Sequence, residues 1–499
     1  MKTLKNVIPI VLLISCFVFS SNNLAAANDP TDKEISNAVD NELFFNATTP
    51  SYLIDVQTNE GIVTLNGSVN NILAKDRAVK IARTVKGVRA VVDNIEVDAP
   101  YRSNAVLEND VDNALLSDPA TDSYEIYVVA DMGQITLTGT VESWQEKQLS
   151  EYVAKGVSGV KGVENNITIN YTANRPDYEI QQDIEQSMKN DIRIDDALIN
   201  VAVKDGTVKL SGTVGSANEK SLAYSKAWTA GVNSVSDKKL EVNEWARDEN
   251  LRKNKYVFKT DVEIKDAVED AFLYDPRVFS FNPDISVKHG VVTLTGVVDN
   301  LKAKKAAEQN TKNVVGVFRV KNYLKVRPAF IPDDNNLESD IESAMLKNPV
   351  VEKWEVDVTA NNGVVYLNGT VDSYFEKSKA EDIASKTNGV LAVENNLSVS
   401  DNNDYYYYNY YGWNTYYPPY HVDVNYTYKS DYAIKENIVD ELWWSPYVNE
   451  DEVTVTVDNG IATLTGTVDT KREKVFAEIN ALEGGASEVE NNLIVDYTP

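Results

Sequence analysis

Gly61-Ile62-Val63-Thr64-Leu65-Asn66-Gly67-Ser68-Val69 is written six times in this chain, with small changes. It returns as GQITLTGTV from Gly133, GTVKLSGTV from Gly206, GVVTLTGVV from Gly290, GVVYLNGTV from Gly363 and GIATLTGTV from Gly460. Successive starts lie 72, 73, 84, 73 and 97 residues apart. A unit of about seventy residues is long enough for a small domain with its own core, unlike the shorter units of solenoids. Within the stretch, Val63, Leu65, Gly67 and Val69 alternate with Ile62, Thr64, Asn66 and Ser68. Period two with one polar face marks a half-buried strand.

The first glycine follows Glu60, Met132, Asp205, His289, Asn362 or Asn459, and Asp-Gly or Asn-Gly favours the positive φ angles of a tight hairpin. An alternating run just upstream, such as Val201 and Val203 or Val453, Val455 and Val457, supplies the partner strand. Ahead of it, Ile180, Ile184 and Met188, or Leu337, Ile341 and Met345, are spaced as one face of a helix. Behind the nonapeptide, Ala74, Ala78, Ile81 and Val85 mark a second helix. It ends at a glycine (Gly87, Gly159, Gly231, Gly316, Gly389, Gly485), which can take the left-handed cap. A third strand follows, as over residues 91–97. The order α-β-β-α-β, with a right-handed crossover, predicts an α/β (α+β) protein of six tandem two-layer domains. Each has a mixed three-stranded sheet with two helices on one face and a polar opposite face. Leu65, Leu137, Leu210, Leu294, Leu367 and Leu464 are expected beneath the helices.

This order, with G-x-V-x-L-x-G-x-V and a later G-V-x-x-V-x-N, resembles the BON domain family. The later motif reads GVRAVVDN from Gly87, GVKGVENN from Gly159, GVFRVKN from Gly316 and GVLAVENN from Gly389. It is looser from Gly231, and Gly485-Ala486 replaces Gly-Val in the sixth copy. The resemblance implies an envelope-associated binding module, in a family tied to osmotic stress and phospholipid interaction, and brings no catalytic motif.

The expected domains span 30–98, 103–171, 177–243, 260–327, 334–400 and 430–497. A charged insert occupies 244–259 and a low-complexity insert 401–429, which holds eleven of the chain's 27 tyrosines. The tyrosine insert reads either as a loop between domains or as an aromatic contact surface. Junctions such as Asp98-Ala99-Pro100 and Asn174-Arg175-Pro176 are short and proline-marked, which predicts a curved string of beads.

Residues 1–27 read as an export signal, with Lys2 and Lys5 ahead of an apolar run from Val7 to Phe19 and Ala25-Ala26-Ala27 at the cleavage site. Leu13-Ile14-Ser15-Cys16 also fits a pattern that resembles the lipobox of bacterial lipoproteins, with Cys16 as the lipidated residue. Against that, Phe17-Val18-Phe19 extends the apolar core past it. Two locations therefore stand: the soluble periplasm after cleavage at Ala27, or a membrane leaflet through Cys16. Cys16 is the single cysteine, so no intramolecular disulfide is available. No later apolar run approaches the ~20 residues of a transmembrane helix, which leaves peripheral membrane contact.

The formal net charge is −28, or −30 without Lys2 and Lys5, which argues against nucleic acid as a partner. One repeat reverses the sign. Residues 251–327 carry fifteen Lys and Arg against nine Asp and Glu, whereas 430–499 carry four against fifteen. The candidate electrostatic contact residues are Arg252, Lys253, Lys255, Lys302, Lys304, Lys305, Lys312 and Lys321, with Arg319, Lys325 and Arg327 on the same last strand. Phospholipid head groups, envelope proteins or the acidic sixth domain of the same or another copy would suit them.

Chemistry beyond contact finds little support. His289 takes a turn position and His421 lies alone in the tyrosine insert, so neither a zinc site nor a Ser-His-Asp arrangement is assembled. Carboxylates such as Asp183 with Glu185, and Glu338 with Asp340, read as solvated helix faces. No cofactor and no catalytic residue is expected. The leading expectation is a non-enzymatic envelope protein binding phospholipid surfaces or envelope proteins, possible in osmotic or envelope stress. The alternative is a structural or chaperone-like periplasmic spacer without lipid affinity.

Overall fold

The computed structural model describes residues 30–45, 53–118, 120–121, 126–171, 175–247, 259–278, 281–372, 374–399, 431–445, 448–458, 460–468, 471–484, 486 and 488–495. Cys16 and the rest of the export signal, Arg252, Lys253, Lys255, and the tyrosine insert with His421 lie outside the described residues.

Each nonapeptide forms the middle strand of its sheet, as in Ile62–Val69, Gln134–Val141, Thr207–Val214, Val364–Val371 and Ile461–Val468. In the fourth repeat it is split into Val291–Thr295 and Val297–Val298. The middle strand runs antiparallel to the strand before it and parallel to the last one, so Leu65 lies opposite Val56 on one side and Asp93 on the other. Burial follows the alternation: Val63, Leu65 and Val69 are buried while Ile62 is exposed. All six core leucines are at most 1% exposed. Burying such a side chain contributes about 1.5–3 kcal/mol, a large share for a domain of this size.

Two helices cover the inward face of each sheet. The first helices are Asp32–Phe45, Asn104–Ser117, Asp177–Asn190, Asp261–Leu273, Asp334–Lys347 and Asp431–Trp444. The second are Ile72–Thr84, Trp144–Lys155, Ala217–Lys226, Leu301–Lys312, Tyr374–Lys386 and Lys471–Glu483. Asn71, Ser143, Ser216 and Asn300 start second helices by accepting an N–H three residues on, the preferred use of these side chains.

The hairpin turns need positive φ, and Glu60, Met132, Asp205, His289 and Asn362 adopt values from 47° to 52°. Asn, Asp and His are enriched in that region, but Glu and Met are poor residues for it. They are held there from the first helix. Asp32 Oδ2 and Oδ1 accept the backbone N–H groups of Glu60 and Gly61, each at 2.8 Å. Asp177, Asp261 and Asp334 clamp their own turns in the same way. Asp431 holds Gly460, and Asn104 holds Met132. Two backbone donors pull the carboxyls of Asp177 and Asp261 below the usual carboxylate range.

The assembly departs from a string of beads. Repeats interlock through helix ends, both between neighbours and out of sequence order. The end of the first helix in the third repeat meets the turn after the second helix in the fourth: Ile192 N donates to Asn313 O at 3.1 Å, and Val315 N to Asn190 O at 2.9 Å. The fifth and second repeats meet in the same manner, with Ser158 N donating to Lys347 O at 2.8 Å. Lys86 of the first repeat sits 4.2 Å over the Trp443 ring of the sixth, and Arg77 sits 5.2 Å over Phe375 of the fifth. Short junctions do restrict neighbours, but contacts between distant repeats decide the shape.

Candidate functional site

The fourth repeat carries the basic candidates, and its two layers treat them differently. On the helix layer three lysines pair with carboxylates; Lys302 is nearly buried, while Lys305 and Lys312 stay exposed. Lys302 is 11% exposed and lies 3.7 Å from Asp118 of the second repeat and 3.5 Å from Asp382 of the fifth. Lys305 pairs with Glu381 of the fifth repeat and donates to Ser385 Oγ at 3.0 Å. Lys312 reaches Glu308 on its own helix at 2.6 Å. The acidic partners thus belong to repeats two and five, where the sequence reading looked to the sixth.

Lys304 occupies a position that recurs along the chain. It stands four residues after the helix N-cap, where Lys75, Lys147, Lys377 and Lys474 stand in other repeats. From that place Lys147 Nζ donates to Ile167 O and Lys474 Nζ to Leu493 O, each at 2.7 Å, tying helix to last strand. A lysine at this position recurs across the repeats, so it does not distinguish the fourth.

Around Lys302 the charges are tightly coupled. Burial pushes the Asp382 carboxyl up, but Lys302, Lys379 and Lys386 together hold it well below the usual carboxylate range. Burial pushes the Lys386 ammonium down to about 8, helped by the like charge of Lys302. Lys379 Nζ donates to Tyr152 Oη of the second repeat at 3.1 Å. These residues join three repeats.

On the sheet layer the charges face outward. The last strand of the fourth repeat, Arg319–Asn322 and Lys325–Val326, is an edge strand, paired only with the middle strand. Arg319, Lys321, Tyr323, Lys325 and Arg327 fall at every second position and are all exposed. Lys288 is also exposed, two strands away. Other repeats place Glu164, Glu394 or Glu490 where this one has Lys321. Apolar groups flank the row: Tyr323 is 61% exposed and Phe330 is 73% exposed. Sequence spacing places these cations on one strand; the structure adds that they share the free face of the sheet.

Other candidates settle into structural places. His289 occupies its turn with its N–H on Asp261, as the turn reading expects. Asp183 and Glu338 are more than solvated charges, which corrects that expectation. Asp183 accepts the Tyr274 hydroxyl of the next repeat at 3.2 Å and lies 2.7 Å from Arg175, and Glu338 accepts Ala360 N–H at 2.7 Å. Among the described residues no group of three or more His, Cys, Asp or Glu could hold a metal ion. Among them, too, no helix is long and apolar enough to cross a membrane. The turn clamp was missed from sequence, yet it has a signal: the clamping Asp or Asn always stands 29 residues before the first glycine of the nonapeptide.

Comparison with known proteins agrees with this architecture. The BON domain model matches residues 31–99, 103–171, 176–244, 260–328, 333–401 and 430–497. Over 121 residues the chain is 34% identical to osmotically-inducible protein Y of Escherichia coli (strain K12), covering 23% of this chain and 60% of that protein. Over 109 residues it is 38% identical to outer membrane lipoprotein DolP of Haemophilus influenzae, covering 21% of this chain and 56% of that protein. The matches thus span less than two thirds of either relative. Among solved structures, CdsD, a structural protein of the type III secretion system of Chlamydia trachomatis, is 18% identical. The likeness covers 45% of this chain and 93% of that one at a TM-score of 0.12, too low to carry an argument. With all six repeats matched, the chain belongs to the BON domain family and carries six BON domains in tandem.

Proposed function

We propose that this is a non-enzymatic, exported protein of the cell envelope that rests on anionic phospholipid surfaces through the outer sheet face of its fourth BON domain. The observation that carries the reading is the row Arg319, Lys321, Tyr323, Lys325 and Arg327, exposed on one face of an otherwise acidic chain. Each cation near an anionic leaflet contributes about 1 kcal/mol and acts within a Debye length, about 8 Å at physiological salt. Four together give reversible, salt-sensitive binding. Exposed Tyr323 and Phe330 add rings suited to the boundary between water and acyl chains. The export signal and the names of the two relatives support an envelope location, in the periplasm or anchored through Cys16. Lys302 and Lys305 are instead paired with carboxylates of other repeats.

Flotation with liposomes containing anionic lipid tests this. The protein is expected to float at low salt, to be released as salt rises, and to stay down with Lys321→Glu and Lys325→Glu combined. Failure to float at low salt would sink the lipid reading and favour a periplasmic spacer.

A further inference from the structure

A cleft of about 510 Å³ opens where helices of the second, third and fourth repeats converge, away from the basic sheet face. One wall is a plate of two indoles. Trp144 and Trp228 stack with centroids 5.5 Å apart and planes within 4°. Gln145 Nε2 fixes the pair by donating to the Trp228 carbonyl at 2.8 Å. Trp228 Nε1 is buried with no acceptor among the described residues, and a buried N–H without a partner is rare enough to need an explanation. The remaining walls mix apolar side chains such as Leu149, Leu222 and Val314 with neutral polar groups, among them Gln148, Ser187 and Gln309.

Charge decides what kind of ligand fits. Asp191, Asp270 and Asp275 balance Arg193, Lys226 and Arg277 one for one. The cations are already engaged. Arg193 grips Asp191 at 2.8 and 2.6 Å, Arg277 grips Asp275 at 2.9 and 2.6 Å, and Lys226 lies 3.2 Å from Asp191. A phosphate or carboxylate would find no unspent fork of donors here. An acyl chain would strand the amides without water, at a cost of roughly 1–3 kcal/mol for each unpaired group. A neutral ligand rich in hydroxyls avoids both penalties. Amides both donate and accept toward hydroxyls, and an apolar C–H face packs against an indole. Asp270 forms no ion pair among the described residues and faces the same space, which adds an acceptor. The volume falls within the ~300–1,000 Å³ usual for small-ligand sites. We infer that this cleft binds a neutral saccharide.

The whole protein would be titrated with maltotriose and with N,N′-diacetylchitotriose, followed by tryptophan fluorescence and calorimetry. At least one sugar is expected to give a saturable change in both signals. Asp270→Asn and Gln148→Ala, each checked for an unchanged circular dichroism spectrum, should weaken binding about tenfold, the loss of one good hydrogen bond. Lys321→Glu, on the sheet face, should leave it unchanged, which separates this site from the lipid surface. No response to either sugar at millimolar concentration overturns the inference. So does parent-level affinity in both cleft variants, or tighter binding of myo-inositol hexakisphosphate than of any sugar.

Discussion

At the scale of single residues, surroundings decide what a carboxylate does. Glu355, in the fifth domain, has a buried Oε2 with no hydrogen-bond partner. Burial first, then the charges of Asp372, Glu376 and Glu352, push its carboxyl up to about 7. The sign follows by linkage. The native state holds a proton that the unfolded chain, with an ordinary glutamate value near ~4.3, has already lost. Its contribution to stability is full below that ordinary value and is lost as pH rises through about 7. Urea denaturation of the fifth domain should therefore show stability falling between about pH 4.5 and 7, and Glu355→Gln should flatten that slope. An unchanged slope in the variant would show that Glu355 titrates normally. Asp177 and Asp261, held below the usual range by backbone donors, act in the opposite sense and lose their contribution only in stronger acid.

At the scale of elements, the hairpin explains the second glycine of the nonapeptide. Gly369 has φ 128°, and a Cβ there would come 2.0 Å from Glu355 O, in the turn just before the neighbouring strand. Gly296, its counterpart in the fourth repeat, has φ 122°, but the nearest atom would lie 3.8 Å away. The backbone penalty of about 1–3 kcal/mol is common to both, whereas the clash belongs to one. Gly369→Ala should destabilise its domain clearly more than Gly296→Ala, read as the shift in denaturation midpoint of each isolated transition. Equal shifts would mean that strain alone requires the glycine. Strands, hairpins and core leucines are legible in sequence because period two and Gly-containing turns are local signals repeated six times. The Asp clamp is harder to read, because Asp32 and Gly61 belong to different elements and only their constant separation links them.

At the scale of the whole molecule, sequence says least. Lys302 reads as a candidate contact for an outside partner, and nothing local announces that Asp118 and Asp382 of two other repeats meet it. The outward row from Arg319 to Arg327 is legible as charge, but its free face appears only once Lys302, Lys305 and Lys312 are seen to be paired with carboxylates. This arrangement can be tested by its cost. Asp118 is 3% exposed, so reversing its cation leaves a buried carboxylate facing another, and breaking a buried pair costs about 3–5 kcal/mol. That is comparable to what an interface between small domains supplies, while each domain keeps its own core. Lys302→Glu should therefore release repeats from one another without unfolding them. Small-angle scattering should show a larger radius of gyration than the parent protein, with an unchanged circular dichroism spectrum. Lys312→Glu is the control, since among the described residues Lys312 pairs within its own helix and is 39% exposed. It should leave the radius unaltered. If Lys302→Glu scatters like the parent as well, the junction of repeats two, four and five does not hold the assembly closed, and other contacts such as Lys86 on Trp443 must carry it.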